Sequence, residues 1–480
     1  MRRVIQLVAV AVVLVPLTAE ARTAGTTVPN VVVADGKTPG RFEVVGHEPL
    51  MNRGMNAALA VHDGFVYVGS RTDGLHPNAG IMVVDARDPE SPVVVNQITS
   101  PEAANPGETT REMRVWPQAD LLMVLNLASN CSYLIHACSP TSAVGDDVYR
   151  FFDISDPADP KLVSEYMPSK DPHEFYLWVD PKDPKRALLF QSAPSAGSTF
   201  FVTDISGAAK GKFKEIAEFR AVVPDPETDN RFHSLTVTPD GKRAHVGGLG
   251  AGYLEVDVSE VTAGKKSPKI RLITNMEKRP SWGDPGAHSA VKFFQRDYVF
   301  VTDEVYGYMP GLLPDHGCPW GWVRIIDLRD HIAPKVVSEF KLEQNTQKFC
   351  DEPTNNDPLR NSTSSYASHN PTLTRNLAVL SWHAGGLQAI DISDPAKPVQ
   401  AAEFLPTPLP AVTQEDPVLS SGRDKVVMWS FPVIADGLIY VTDVRNGLYI
   451  VRYEGPFENE IRSINFLEGN SNLGDALKLD

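Results

Sequence analysis

The stretch VYRFFDISDPADPKLVSEY at residues 148–166 is nearly repeated at residues 387–404, which read LQAIDISDPAKPVQAAEF. Both begin with an apolar strand that ends in Asp, continue through a turn rich in Asp and Pro, and finish in a second short strand. Looser copies occupy residues 81–98, 200–219, 253–273 and 322–340, and an incomplete seventh copy begins at residues 448–456. Self-similarity along nearly the whole chain indicates a repeat architecture.

Each copy is preceded by another pair of short strands around a tight turn, as in LAVHDGFVYVG at 59–69 and LTVTPDGKRAHVG at 235–247. Alternating apolar residues around an Asp-Gly turn are typical of a β-hairpin. One unit therefore holds four strands, and units of this kind at a period of roughly 40–60 residues are propeller blades. The sequence predicts an all-β, seven-bladed β-propeller over residues 41–456.

The seventh copy lacks an outer strand, and the N-terminal stretch FEVVGH at residues 42–47 can supply it. Pairing the two ends of the chain would close the ring and remove the open sheet edges that promote aggregation. We therefore expect the ring to be closed by this N-terminal strand. The polar segment 457–480 is predicted to be a loose C-terminal tail.

The N-terminus, MRRVIQLVAVAVVLVPLTAEARTAG, has two arginines, a short apolar run and an Ala-Glu-Ala sequence. This pattern predicts a cleaved signal peptide at residues 1–21, an N-terminal linker at 22–40 and a secreted protein. We expect a monomer. The alternative, a retained anchor, is disfavoured because the apolar run is short for a membrane span, and no transmembrane segment is expected in the mature chain. The net charge of −15 argues against nucleic acid as a partner.

Four cysteines are present, and an oxidising compartment favours disulfides between them. Proximity in the sequence suggests the pairs Cys131–Cys138 and Cys318–Cys350. A cysteine-ligated metal is the alternative, but the sequence contains no C-x-x-C pair.

The phrases DISDPADP at 153–160 and DISDPAKP at 391–398, each following an apolar strand, resemble the LVIVD-repeat family of secreted β-propeller proteins. The resemblance extends over nearly the whole mature chain, and six of the seven copies keep the Asp-turn core. It implies a propeller fold and export. It implies little about chemistry.

Four consecutive blades carry a histidine where the innermost strand begins, in DPHEF, RFHSL, GAHSA and ASHNP. Side chains at equivalent places in different blades point towards one axis, so these imidazoles are predicted to form a metal site, with iron or copper favoured. The candidate ligands are His173, His233, His288 and His369, and the candidate supporting residues are Glu174, Asp303, Glu304 and His383. This placement is similar to that in carotenoid cleavage oxygenases and in selenium-binding proteins with methanethiol oxidase activity, although their linear motifs are absent.

The leading functional hypothesis is a secreted metalloprotein, with an oxidase or oxygenase activity. Three alternatives stay open: a structural histidine network joining blades, a hydrolase whose clustered histidines and acids activate water, and a non-catalytic scaffold. The scaffold would use two long insertions, at 126–147 in blade two and 304–322 in blade five, to bind a small molecule or a protein.

Overall fold

The protein is a seven-bladed β-propeller in a computed structural model, with one antiparallel four-stranded sheet in each blade. The structure describes residues 30–71, 77–98, 109–127, 147–224, 230–282, 286–304, 318–355, 365–416 and 425–480. Five of the seven sheets contain four strands, and two gain a fifth. The predicted fold class is confirmed.

The strands are β1 (Val31–Val33), β2 (Arg41–Glu48), β3 (Asn56–His62), β4 (Phe65–Ser70), β5 (Ile81–Asp85), β6 (Val93–Ile98), β7 (Thr109–Trp116), β8 (Leu121–Leu127), β9 (Val148–Asp153), β10 (Lys161–Tyr166), β11 (Phe175–Asp180), β12 (Asp183–Ser192), β13 (Thr199–Gly207), β14 (Lys212–Arg220), β15 (Ser234–Val237), β16 (Arg243–Gly247), β17 (Tyr253–Asp257), β18 (Arg271–Leu272), β19 (Ala287–Lys292), β20 (Tyr298–Asp303), β21 (Val323–Asp327), β22 (Lys335–Lys341), β23 (Pro371–Leu373), β24 (Leu377–Trp382), β25 (Gly386–Asp391), β26 (Val399–Phe404), β27 (Val433–Ala435), β28 (Leu438–Asp443), β29 (Gly447–Glu454) and β30 (Phe466–Leu467). The helices are α1 (Ser259–Thr262), α2 (Gln347–Asp351), α3 (Glu458–Arg462) and α4 (Ala476–Leu479).

In blades one to six the four strands run in chain order from the axis outwards, and in blade seven β27, β28 and β29 do so while β2 is the outer strand. Strands next to the axis and second strands are almost wholly buried, as in β7 and β8, whereas an outer strand such as β10 is largely exposed. A strand covered on both faces reads as a continuous apolar run, which is why LLMVLNL in β8 shows no alternation. The core therefore lies between neighbouring blades as well as around the axis.

The repeated phrase owes its Asp residues to the turn that follows the third strand. The Asp153 carboxylate accepts the backbone N–H of Ser155 at 2.8 Å, and Asp156 accepts that of Ala158 at 3.1 Å. Asp391 makes the equivalent bond to the N–H of Ser393 at 2.8 Å. A side-chain acceptor two residues back fixes a tight turn without a ligand, so this phrase is structural.

The ring is closed by the N-terminal strand, as predicted. Strand β2 pairs antiparallel with β29, with Phe42 opposite Tyr453. Strand β1 lies within the expected linker and adds in parallel to β22, the outer strand of blade five. Residues 31–33 are therefore part of a blade and not a free connection.

The expected loose tail at 457–480 is wrong. Strand β30 pairs with β27, and Leu467 and Leu473 are 1% and 5% exposed. Asn472 reaches the innermost strand of blade three, where its Oδ1 accepts the Val179 N–H and its Nδ2 donates to the Val179 carbonyl, both at 2.8 Å. The polar composition of the segment is therefore compatible with burial, because a polar side chain such as that of Asn472 bonds to inner-strand backbone.

Cys318 and Cys350 form a disulfide with a Cα–Cα distance of 5.5 Å, as predicted. The other expected pair, Cys131–Cys138, lies outside the described residues, as do the signal peptide at 1–21 and most of the insertions at 126–147 and 304–322. Within the described part of the chain, every helix is too short or too polar to cross a bilayer.

Candidate metal centre

The predicted site residues meet at one mouth of the propeller because equivalent strand ends converge there. His173 and His233 immediately precede the inner-strand region of blades three and four, His288 lies in β19, and His369 precedes β23. The backbone N–H of His233 donates to the Gly247 carbonyl at 2.9 Å. His173 and His369 make the same kind of bond, to Ser192 and Ser381 at 3.0 Å. The backbone of each of these three histidines is thereby fixed to the end of the second strand of its own blade.

The histidines form a continuous arc across blades three to six. The ring centroids of His173 and His233 are 4.4 Å apart, and those of His233 and His288 are 4.0 Å apart. The arc continues from His288 to His369 at 4.5 Å and from His369 to His383 at 4.9 Å. His383, expected as a supporting residue, is the fifth member of this arc.

Glu304 lies at the centre of the arc, directly after strand β20. Its Oε1 is 3.0 Å from His369 Nε2 and 3.3 Å from His383 Nε2. Its Oε2 is 3.2 Å from His288 Nε2 and 3.7 Å from His233 Nε2. One buried carboxylate therefore faces four imidazole nitrogens, which gives Glu304 a more central position than the supporting role expected of it.

Three of these rings use Nδ1, the nitrogen that does not face Glu304, for a hydrogen bond within the protein. His369 Nδ1 donates to the Trp429 carbonyl at 2.7 Å. His288 Nδ1 is bonded to the Ser289 hydroxyl at 2.7 Å, and His383 Nδ1 to the Ser365 hydroxyl at 2.9 Å. Bonds of this kind fix the orientation of a metal-binding histidine and leave Nε2 to act as the ligand.

Burial sets the charge of this centre. It lowers the pKa of His288 and His369, and lowers that of His383 to about 4, so these rings are neutral at pH 7. Burial on its own raises the pKa of Glu304, and positive charge at His369 and His288 lowers it. Because these rings are neutral at pH 7, the carboxylate needs another cation beside it to stay ionised. A carbonyl only accepts, so the proton of His369 is on Nδ1, and its Nε2 lone pair faces a carboxylate oxygen. Two electron-rich atoms 3.0 Å apart suit a bound cation.

A second group of residues lies at the other end of the arc. His173 Nε2 is 3.0 Å from His233 Nε2 and 3.1 Å from Arg111 Nη2. The same guanidinium nitrogen is 3.2 Å from Glu174 Oε1. Burial lowers the pKa of His173 and His233 well below the ordinary value and raises that of Glu174 well above it, despite Arg111.

Four overlapping sets of described residues have ligand atoms within 4.8 Å of one another. They are His173–Glu174–His233, Glu174–His288–His369, His233–His288–Glu304 and Glu304–His369–His383. The described part of the chain thus contains a histidine and glutamate cluster that can hold a metal ion.

Asp303 is the one candidate that does not join this cluster. Its carboxylate bonds with Arg324 and accepts the Trp282 indole N–H at 3.1 Å. Burial raises its pKa to about 6 in spite of Arg324. The Asp303 N–H donates to the Ser368 hydroxyl at 3.1 Å, which ties the end of β20 to the residue before His369. The side chains of the consecutive residues Asp303 and Glu304 therefore contact different groups: Asp303 contacts Arg324 and Trp282, and Glu304 contacts the histidines.

Sequence reasoning missed two neighbours of the centre. The Trp429 ring is 4.4 Å from His369 and 5.4 Å from His383, and it stacks on the latter at 9°. Arg111 lies in blade two at the position that holds histidine in the next four blades. Arginine and tryptophan are not usual metal ligands, so a search of the sequence for ligand residues passes over both.

We expect the metal-free protein to lose stability as the pH falls below about 6.5. A histidine whose pKa is lower in the folded state binds fewer protons than it does in the unfolded chain, so stability falls with pH. His383, with a pKa of about 4, alone accounts for about 2 kcal/mol between pH 6.5 and pH 5. The other histidines of the arc act in the same sense, and Glu174 acts in the opposite one.

The measurement is the melting temperature of chelator-treated protein between pH 7.5 and pH 5. The His383→Asn variant is the matched control and should show a weaker pH dependence. A melting temperature that is constant or rises towards pH 5 would contradict neutral, buried imidazoles.

Comparison with known proteins gives two findings. The family model described as the LVIVD repeat matches residues 151–168 and 382–405. A structural-genomics crystal structure of a protein from Lactobacillus plantarum is similar, with a TM-score of 0.46 and 11% identity, covering 72% of this chain and 85% of that chain. No curated protein matches the chain in sequence. The chain contains LVIVD repeats, as its Asp-Pro turns predicted.

Proposed function

We propose that this LVIVD-repeat propeller is a metalloprotein that holds one redox-active metal ion, iron or copper, at Glu304, His288, His369 and His383. An ion held there would supply one-electron chemistry with dioxygen, and the activity would be that of an oxidase or oxygenase. The observation that carries the proposal is the convergence of three imidazoles, each held through Nδ1, on one buried carboxylate.

The donor set supports the choice of metal. Imidazole suits iron, copper, zinc and nickel, and two histidines with one carboxylate are the ligand set of many non-haem iron oxygenases. Glu304, His369 and His383 are such a set. The two described cysteines, Cys318 and Cys350, are bonded to each other, so thiolate ligation of a structural zinc has no support here.

Within this site the protein's own groups have distinct roles. Glu304 offsets part of the positive charge of the ion. The Nδ1 bonds of His288, His369 and His383 hold each ring in one orientation, and the carbonyl partner of His369 also fixes its tautomer. These three side chains are completely buried, which restricts access of bulk water to the ligand atoms and strengthens their electrostatic interactions.

We further propose that the chain is exported. The disulfide between Cys318 and Cys350 supports this, because disulfides persist mainly in oxidising compartments. The N-terminal pattern of two arginines, an apolar run and Ala-Glu-Ala is consistent with it.

The first experiment is elemental mass spectrometry of untagged protein purified without chelators. We expect about one equivalent of iron or copper in wild type and its loss in His369→Ala. The matched control is His245→Asn, since His245 is equally buried but bonds to Tyr253 at 2.7 Å outside the cluster; it should retain the metal.

The other outcomes are also informative. Zinc in place of iron or copper would replace the oxidase proposal with the hydrolase alternative. Folded protein without metal would support a structural role for the histidines, and the non-catalytic scaffold would then be the remaining functional hypothesis.

A further inference from the structure

Arg111 is a buried cation placed on atoms that a metal ion would otherwise use. It is the third residue of β7 and is 2% exposed. Its Nη2 lies 3.1 Å from His173 Nε2 and 3.2 Å from Glu174 Oε1. Both atoms belong to the His173–Glu174–His233 set, whose ligand atoms lie within 4.8 Å of one another.

This set has the composition of a metal site and adjoins the proposed one. Two imidazoles and a carboxylate repeat the donor types around Glu304, and the His233 and His288 ring centroids are only 4.0 Å apart. Two-metal centres place their ions about 3.5–4 Å apart. By its ligands alone, the arc has room for two ions.

A metal ion and the guanidinium cannot both use these atoms. A metal would lie about 2.0–2.2 Å from a histidine nitrogen or a carboxylate oxygen, in the space that separates Arg111 Nη2 from His173 and Glu174. Arginine keeps its charge when buried. A metal ion bound to His173 and Glu174 would therefore lie within a few ångströms of the positive guanidinium, and the two would repel each other strongly. Arg111 is also held over the Trp429 ring, 5.1 Å from its centroid.

We propose that Arg111 is a positioning residue that fills the second cation position of the arc and restricts the centre to one metal ion. The inference rests on the proposed function for the identity of the first ion, at Glu304. It predicts that removing the guanidinium, while keeping the fold, creates a second metal site at His173, Glu174 and His233.

Arg114 provides a matched control on the same strand. It is also 2% exposed, is paired with Glu112 at 2.9 Å, and lies over aromatic rings, at 5.3 Å from Phe175. Replacing either arginine breaks a buried ion pair, so both substitutions are expected to destabilise the fold. Of these two arginines, only Arg111 contacts residues of a candidate metal set, His173 and Glu174.

The experiment is saturation of the full chain with Zn²⁺, followed by removal of free ion and determination of bound zinc by elemental mass spectrometry. We expect about one equivalent in wild type, Arg111→Lys and Arg114→Met, and about two in Arg111→Met. The double variant Arg111→Met/His173→Ala should return to one. Thermal melts identify the variants that are folded.

Two equivalents in wild type would overturn the proposal, as would folded Arg111→Met with the wild-type count. If Arg111→Met does not fold, Arg111→Gln replaces it, and saturation of wild type still decides because a second ion there excludes the proposed role. Zero in wild type but one in Arg111→Met would refute the Glu304 site while supporting this inference.

Discussion

Replacing Glu304 with glutamine is expected to abolish metal binding while leaving the metal-free protein at least as stable as wild type. Loss of a residue that only orients a ligand costs roughly 10–100-fold in metal affinity, so losing the central carboxylate should cost more. In the metal-free state, the same substitution removes a buried carboxyl group that is costly to ionise because only neutral imidazoles face it. The new amide can donate a hydrogen bond to an imidazole nitrogen.

The matched control is Asp303→Asn, one residue away. Asp303 faces Arg324 and Trp282 and not the histidines, so this variant should keep the metal but lose about 3–5 kcal/mol of unfolding free energy, as expected for a broken buried ion pair. Bound metal and chemical denaturation of both variants test the contrast. Undiminished metal in Glu304→Gln would contradict the proposed centre.

Deleting residues 466–480 is expected to destabilise the propeller strongly. Leu467 and Leu473 are buried, and burying each contributes roughly 1.5–3 kcal/mol, so the loss should reach about 3–6 kcal/mol. Loss of strand β30 would also leave β27 paired on one side only, with β28. The free energy of unfolding, measured by denaturant titration, tests this.

Two single substitutions test whether specific contacts of this segment, and not merely its length, account for the loss of stability. Asn472→Ala removes the paired bonds to Val179 and should cost about 1–3 kcal/mol, because it leaves buried backbone groups unsatisfied. Leu477→Ala alters a side chain that is 43% exposed and should change stability by less than about 0.5 kcal/mol. A truncated chain as stable as wild type would show that this segment is a tail after all.

The blade pattern could be predicted from the sequence because each blade repeats the same turn and the same apolar strands. Asp153 and Asp391 fix equivalent turns, and the intervening strands have an unmistakable apolar pattern. The position of the four histidines at one mouth could be predicted from blade geometry. Equivalent residues of different blades lie at the same distance from the propeller axis and at the same height along it.

The centre of the site could not be read in this way. Glu304 and Asp303 are adjacent acids at a strand end, and only the fold decides that one faces the histidines and the other Arg324. Arg111 breaks the histidine register, and its importance depends on its distance to His173. Asn472 looks solvated in the sequence, and its burial depends on backbone groups almost three hundred residues earlier in the chain.

The most direct test of the account is anomalous X-ray diffraction from crystals of metal-loaded protein, recorded on both sides of the absorption edge of the bound metal. One anomalous peak is expected, about 2.0–2.2 Å from a carboxylate oxygen of Glu304 and from the Nε2 atoms of His288, His369 and His383. A peak between His173, Glu174 and His233, or no peak at the arc in crystals of protein that contains one equivalent of metal, would contradict it.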